Sequence, residues 1–428
     1  MAGKNPIKNL IDKAAASRER HQARHRPSGF GFVFADRLGY LDPNRWDAVT
    51  SSSSVFIQRP YLTALEEHGP SNITPRYAMI FRGEKPVAAL ALQVIQVSGR
   101  TISGSGAAVV EAGQRSPKSV AKSAYGKMRR SAVQSLNTRL LMCGNLMSWG
   151  LHGIAMAEDE DASAVWPAVA EAIYRVRRAE KLSSSVGLVM VKDFSPIDAE
   201  HGKSLRTFSY EPVQTDPDMV LDLKPTWTQY EGYLADLASK YRKGIVKMHK
   251  TVAEAGWQVE SLSDPSDCTA RIHDLYMQVH ERAAVRFFTL KPEFIPALAR
   301  SLGDNFRCTT VRREDEIAGF VTTIRDRDTA YGYFLGYDRQ VNEDVPVYFR
   351  LLHAVIADAI AMGCRRVSLG RTALEPKAKL GARPVPLNVW VRHRHPIMNK
   401  LMRPLMNFVP HDEAPERSPF KNEVATVE

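Results

Sequence analysis

Four charged residues late in the chain, Asp338, Arg371, Lys377 and Lys379, follow or flank a run of tyrosines at 331, 333 and 337. The segment around them, YGYFLGYDRQVNEDVPVYFRLLHAVIADAIAMGCRRVSLGRT (Tyr331–Thr372), reads as strand, polar turn, helix and strand. That is the order of a nucleotide- or coenzyme-binding unit. It puts Arg371 just beyond a strand, at the carboxyl end of a sheet, where open α/β sheets bind ligands. An arginine with two nearby lysines there can hold a phosphate, a carboxylate or an oxyanion. On a solvated turn the same three are only surface cations. Tyr331, Tyr333 and Tyr337 alternate, so a regular strand would place all three on one face. Asp338 ends the strand, where an aspartate takes a proton or simply forms a turn. The turn itself has no glycine-rich loop, and Glu343 and Asp344 stand where phosphates would sit. Asn342 or Asp344 reads as a cap for the helix that follows, with Pro346 in its first turn.

Elements able to position such groups occur twice. Arg76–Gln96 and Arg307–Arg325 each read as an antiparallel hairpin, bent at Gly83-Glu84 and at Glu314-Asp315. After each hairpin come a strand, a long helix and another strand. In the first half these are Leu140–Met147, Asp161–Lys181 and Val186–Val191; in the second, Ala330–Gly336, Val345–Met362 and Arg366–Leu369. The helices carry apolar residues at helical spacing: Val165, Val169, Ile173 and Val176 in one, Leu352, Val355, Ala359 and Met362 in the other. Met219–Leu223 and Pro384–Arg392 supply closing strands. The pattern predicts a mixed α/β chain of two tandem domains, each a twisted, mostly antiparallel sheet flanked by helices. The expected divisions are a basic extension (1–35), a first domain (36–224) with a basic insertion near 98–139, a second domain (225–400) and a tail (401–428).

A chain of 428 residues that is 44% apolar can bury a core in each of two domains. Its net charge of +11 favours an anionic partner. Cations concentrate in residues 1–26 and in Gln114–Arg139, the second run holding seven cations and no acid. Val120, Tyr125, Met128 and Val133 can form an apolar stripe on that run, which suits an anionic membrane or RNA phosphates; a solvated helix face explains it equally. Cys143, Cys268, Cys308 and Cys364 have no metal-ligand spacing and read as reduced core thiols, so no metal is expected. No apolar run is long enough to span a membrane and no secretory segment follows Met1, so the expectation is a cytoplasmic protein, peripheral at most to the inner membrane face.

YLADLASKYRKGIVKMHK (Tyr233–Lys250) resembles the segment that opens the second domain of Fem-type peptidyltransferases and related GNAT-fold acyltransferases. There a helix ends L-x-S-K-x-R-x-x-I, matched here by Leu237, Ser239, Lys240, Arg242 and Ile245. Gly336-Tyr337-Asp338, Leu351-Leu352, Gly363, Gly370-Arg371, Lys377, Lys379 and Leu380-Gly381 resemble the later signature of the same group. SSVFIQRPYLTALEE (Ser53–Glu67) is similar to the opening of its first domain. The resemblance covers most of residues 40–400.

It implies a tandem GNAT-like fold that moves an acyl or aminoacyl group onto an amine. Such a site needs an acceptor for the amine's proton, donors for the oxyanion and a proton for the leaving group. On this reading Arg371, with Lys377 and Lys379, holds the oxyanion or a phosphate, Asp338 takes the proton, and Tyr333 or Tyr337 reaches the acyl centre. His280, Arg286, Phe287 and Phe288 would line the acceptor site, and Lys240 and Arg242 would meet anionic substrate. Trp149 and His152 would reach the cleft between domains. Asn342, Val345 and Tyr348 stand where coenzyme A would lie, if acyl-CoA is the cosubstrate. Three functions follow: an N-acyltransferase using acyl-CoA or an acyl carrier protein, an aminoacyl-tRNA-dependent transferase, and a non-catalytic protein that binds RNA or a membrane surface.

Overall fold

Gly83 takes a positive φ of 61° and closes the first hairpin; in the second hairpin Glu314 takes the same kind of conformation at 51°. These turns lie where the sequence bends its apolar runs. The computed structural model describes residues 28–98, 137–196, 198–283, 286–400 and 417–421, with Ala15, Arg18 and Glu19. Most of the basic segment 1–26, residues 114–136 of the basic run, and most of the tail 401–428 lie outside the described residues.

The first half runs β1 (Gly31–Ala35), α1 (Pro43–Thr50), α2 (Arg59–His68), β2 (Ile73–Arg82), β3 (Lys85–Ser98), β4 (Asn137–Cys143), β5 (Ile154–Met156), α3 (Ala162–Ala179), β6 (Val186–Phe194) and β7 (Glu211–Asp222). The second runs α4 (Tyr230–Asp236), α5 (Ser239–Glu254), β8 (Gln258–Leu262), α6 (Thr269–His280), α7 (Phe294–Leu302), β9 (Phe306–Arg313), β10 (Glu316–Asp326), β11 (Thr329–Tyr337), α8 (Arg339–Asp344), α9 (Val347–Ala361), β12 (Arg366–Ser368), α10 (Leu374–Ala378) and β13 (Arg383–His393). The mixed α/β architecture with a long helix in each half matches the expectation. The resemblance placed Leu237–Ile245 at a helix end. Instead the chain breaks at Leu237-Ala238, and Ser239, Lys240 and Arg242 open α5.

Among the described residues one sheet passes through both halves, in the order β1-β2-β3-β4-β6-β13-β7-β12-β11-β10-β9-β8, with β5 on β3. The two closing strands are exchanged. β13, from the second half, pairs antiparallel with β6 of the first, while β7 pairs antiparallel with β12 of the second. β13 and β7 pair with each other at the centre. Three cores result. One packs α3 on β2, β3, β4 and β6. Another packs α4, α5, α9 and α10 on one face of the second half. The third, on the opposite face, joins α6 and α7 to α1 and α2 of the first half. Burial at this scale, at about 25 cal/mol per Å² of apolar surface, is what holds the halves to one another.

Candidate functional site

β11 and β12 run parallel only from Thr329↔Arg366 to Tyr331↔Ser368 and then part. Beyond that point β11 bulges. Tyr333 and Phe334 together oppose Thr322, and Thr322 Oγ accepts a hydrogen bond from Phe334 N–H at 2.9 Å. A bulge of this kind changes which face later side chains take. The expectation that Tyr331, Tyr333 and Tyr337 share a face is therefore corrected. Tyr331 and Tyr333 enter the core shared with the first half, whereas Tyr337 turns to the α9 side and packs on Tyr348. Tyr333 is buried, and its hydroxyl lies 2.6 Å from that of Tyr61. Burial raises both phenols well above the ordinary range.

The gap between the parted strands is bridged from the first half. The Trp149 indole stands against Tyr331 and Tyr333, donates from Nε1 to Ser368 Oγ at 2.6 Å, and comes close to Gly370. Ser368 in turn donates to Asp218 at 2.7 Å, and Gly370 N–H donates to the same carboxylate at 3.1 Å. Arg371 does project at the strand end, but onto a carboxylate. Its guanidinium meets Asp193 at 3.2 Å and the backbone oxygen of Asp216 at 3.1 Å. Asp193 is fully buried and is also held by Lys192 at 3.3 Å and by Gly150 N–H at 3.1 Å. Lys377 is only 4% exposed, and burial pushes its ammonium down to about 8 against the pull of Asp218. This seam is a dense polar joint between the halves.

Asp338 is not part of that joint. It caps α8, accepting from Gln340 N–H and Val341 N–H, and forms an ion pair with Arg271 at 2.9 Å. Its carboxyl pKa is lowered, because the Arg271 bond and those N–H groups outweigh desolvation, the largest single influence. α8 occupies the turn that would cradle a phosphate. Asn342, not Asp344, supplies the cap of α9, accepting from Tyr348 N–H at 2.9 Å. Val345 is buried in the α9 core and Tyr348 is half-buried beside Tyr337. With that N–H occupied and Glu343 and Asp344 alongside, these residues do not fit a coenzyme A pyrophosphate at the start of α9. The first half has an acidic run of its own before α3, Glu158–Asp161. Asp161 caps α3, and Asp159 and Glu160 pair with Lys85 and Arg82 on the β2–β3 hairpin.

The remaining expected residues divide between two faces of the sheet. His280 is held by Tyr276 at 3.1 Å and by Thr289 at 3.0 Å, and Phe288 packs near Phe334. Phe287 is exposed, and its carbonyl accepts from Asn72 of the first half. Arg286 is half-buried beside it. These belong to the α6 side. His152 packs on Trp166 and Phe194 and borders a cavity of about 230 Å³ with Asn145 and Arg327. Lys240 and Lys379, by contrast, are brought together on the α9 side, with Arg242 half-buried on the same helix as Lys240.

There a groove of about 550 Å³ opens between α5, α9 and α10. Ile245, Met248, Pro346, Phe349, Pro376 and Leu380 make it apolar, and Lys240, Lys247 and Lys379 stand around it. Its lining includes a residue the sequence reading missed. His353 is 2% exposed, and its Nδ1 lies 2.8 Å from the Tyr230 hydroxyl, which also lies 3.4 Å from His249 Nε2. His353 Nε2 forms no hydrogen bond with any described residue. Burial holds His353 down to about 3 and His249 to about 4, so both rings are uncharged at neutral pH. Neither histidine belongs to a spaced motif. The one signal in the sequence was His353 itself, a polar residue inside the otherwise apolar face of a buried helix.

Residues 239–378 match a family model described as an acetyltransferase (GNAT) domain, and the groove lies almost wholly within that span. None of the curated proteins matches the chain. Among solved structures, the chain is similar in layout to FemX (8% identity, TM-score 0.49, covering 86% of this chain and 99% of that one). It is also similar to a tandem GNAT protein of the clavulanic acid biosynthesis pathway (10%, 0.44, 86% and 99%). A third likeness is to L-PGS from Bacillus licheniformis (10%, 0.45, 81% and 95%).

Proposed function

We propose that this chain, which carries a GNAT acetyltransferase domain over residues 239–378, is an N-acyltransferase whose donor lays an apolar acyl arm in the groove between α5, α9 and α10. One observation carries this reading: an uncharged chain of His353, Tyr230 and His249 borders that groove. An amine must lose a proton as it attacks an acyl carbon, and a desolvated imidazole resists holding that proton as a cation. A relay removes the difficulty. With Nδ1 protonated, His353 accepts the amine proton at Nε2 while Nδ1–H passes to Tyr230, whose own proton passes to His249 Nε2. The positive charge then lies on the half-buried His249 instead of the buried His353 ring, and is discharged when His249 gives a proton to solvent. The three lysines, on α5 and just after α10, supply attraction for a phosphate-bearing carrier. An apolar lining favours the thioester of a hydrophobic acyl group, on coenzyme A or a carrier protein, over a charged aminoacyl ester.

The test is turnover with an apolar acyl thioester and a panel of amines. His353→Ala should lower kcat by about 10²–10⁴-fold, the range for losing a positioned proton acceptor, and Tyr230→Phe by less. Thermal unfolding shifts with the ligands identify the donor: a shift only with charged tRNA replaces the thioester by an aminoacyl ester. Full activity in His353→Ala together with loss in Arg371→Ala would move the chemistry to the seam.

A further inference from the structure

One end of the first half gathers several cations. Because β6 and β13 are antiparallel while β4 and β6 are parallel, the start of β4, the start of β6 and the end of β13 meet at the same edge as the end of β3. Arg394 N–H donates to Gly187 there at 3.0 Å, fixing the segment after β13 beside the loop before β6. Two adjoining hollows of about 700 and 480 Å³ share Ser185 and Arg394. Arg139, Arg177, Lys181, Arg392 and Arg394 line them, and among the described residues no carboxylate does. Glu180, close by, is 5% exposed and bridged by Arg76 and Arg139. The Nε of Arg177 is buried without a hydrogen-bond partner.

Aliphatic side chains stand exposed beside these cations. Leu182, next to Lys181, is 94% exposed, Ile397 is 75% exposed, and Met398 is 39% exposed. Leaving such groups in water is unfavourable, and none has a described neighbour to cover it. We propose that this edge docks on the surface of an anionic lipid bilayer, with Leu182, Ile397 and Met398 entering the acyl boundary while the arginines and Lys181 meet lipid phosphates. RNA would draw the same cations. However, single strands are held by stacking on successive aromatic rings, and among the described residues no exposed Phe, Tyr or Trp lines the two hollows, Phe287 approaching them only through Asn72 and Gln96. The sequence that attaches at this edge has the same character. Ser98 and Asn137 are the described ends of the stretch containing the acid-free run from Gln114. Past Lys400 the chain reads LMRPLMNFV, apolar with one arginine.

The experiment is co-sedimentation of the full chain with phosphatidylglycerol–phosphatidylcholine vesicles against pure phosphatidylcholine, across a salt series. Binding to the anionic vesicles alone is expected. Leu182→Glu with Ile397→Glu should weaken it at least tenfold. Lys181→Glu with Arg394→Glu should weaken it by roughly fivefold per cation and flatten the salt dependence. Because these side chains are exposed, the variants should unfold at the temperature of the parent. Tyr40→Glu, equally exposed on another face at 73%, should bind as the parent does. Full vesicle binding by all the edge variants, or loss of only RNA binding in them, overturns the proposal.

Discussion

Lys377 carries its charge against the fold. Its ammonium sits in a site 4% exposed and is pushed down to about 8, whereas an unfolded lysine titrates near 10.4. Between those values the unfolded chain holds a proton that the folded chain has released, so stability rises with pH across that window. Below it the cost is constant, at about 3 kcal/mol. Lys377→Met should therefore be more stable than the parent at pH 7, and its advantage should close as the pH approaches 10.5. Urea midpoints at several pH values measure this, and a gap that stays constant with pH refutes it. The lysine was legible as a charged group near a strand end. That it is enclosed was not, because Asp218, its only charged neighbour of note, comes from the other half of the chain. Asp193 and Lys192 were hidden for the same reason. They end a buried apolar strand, and their partners come from distant loops: Gly150 and Asn145 within the same half, and Arg371 from the other.

Elements with a regular period were readable. Both hairpins turn at the dipeptides where the apolar runs bend, and α3 and α9 bury the faces their spacing marks. What broke the period was not readable. The bulge in β11 sends Tyr337 to the face opposite Tyr333, and α8 forms where the sequence suggested an open turn. Close approach is likewise invisible in one dimension. α6 presses so tightly on β11 that a Cβ at Gly336 would lie 2.4 Å from the backbone of Leu275. Backbone on both sides leaves no side chain to rotate away, so Gly336→Ala should cost about 3 kcal/mol, at the upper end of ordinary overpacking. A denaturant titration that places the variant within about 0.5 kcal/mol of the parent, the range of an ordinary surface change, would show that α6 yields freely.

For the molecule as a whole, one sheet runs across the division near residue 224. The two strands that looked like local closures each serve the other half, a pairing no local pattern encodes. Expressed separately, residues 1–224 should lack β13, and residues 225–428 should lack β7. Each fragment exposes an unpaired strand edge, so neither should unfold cooperatively alone, while the mixed fragments should recover one transition. A sharp, independent unfolding transition in either fragment would contradict the exchange. The exchange also sets a timetable for birth. β6 and β7 leave the ribosome long before β13, with roughly 190 residues between the end of β6 and the start of its central partner. At about 5–20 residues per second, synthesis leaves the β6 edge open for on the order of 10–40 s. A nascent first half must therefore be shielded, or must tolerate incompleteness, until β13 arrives to close it.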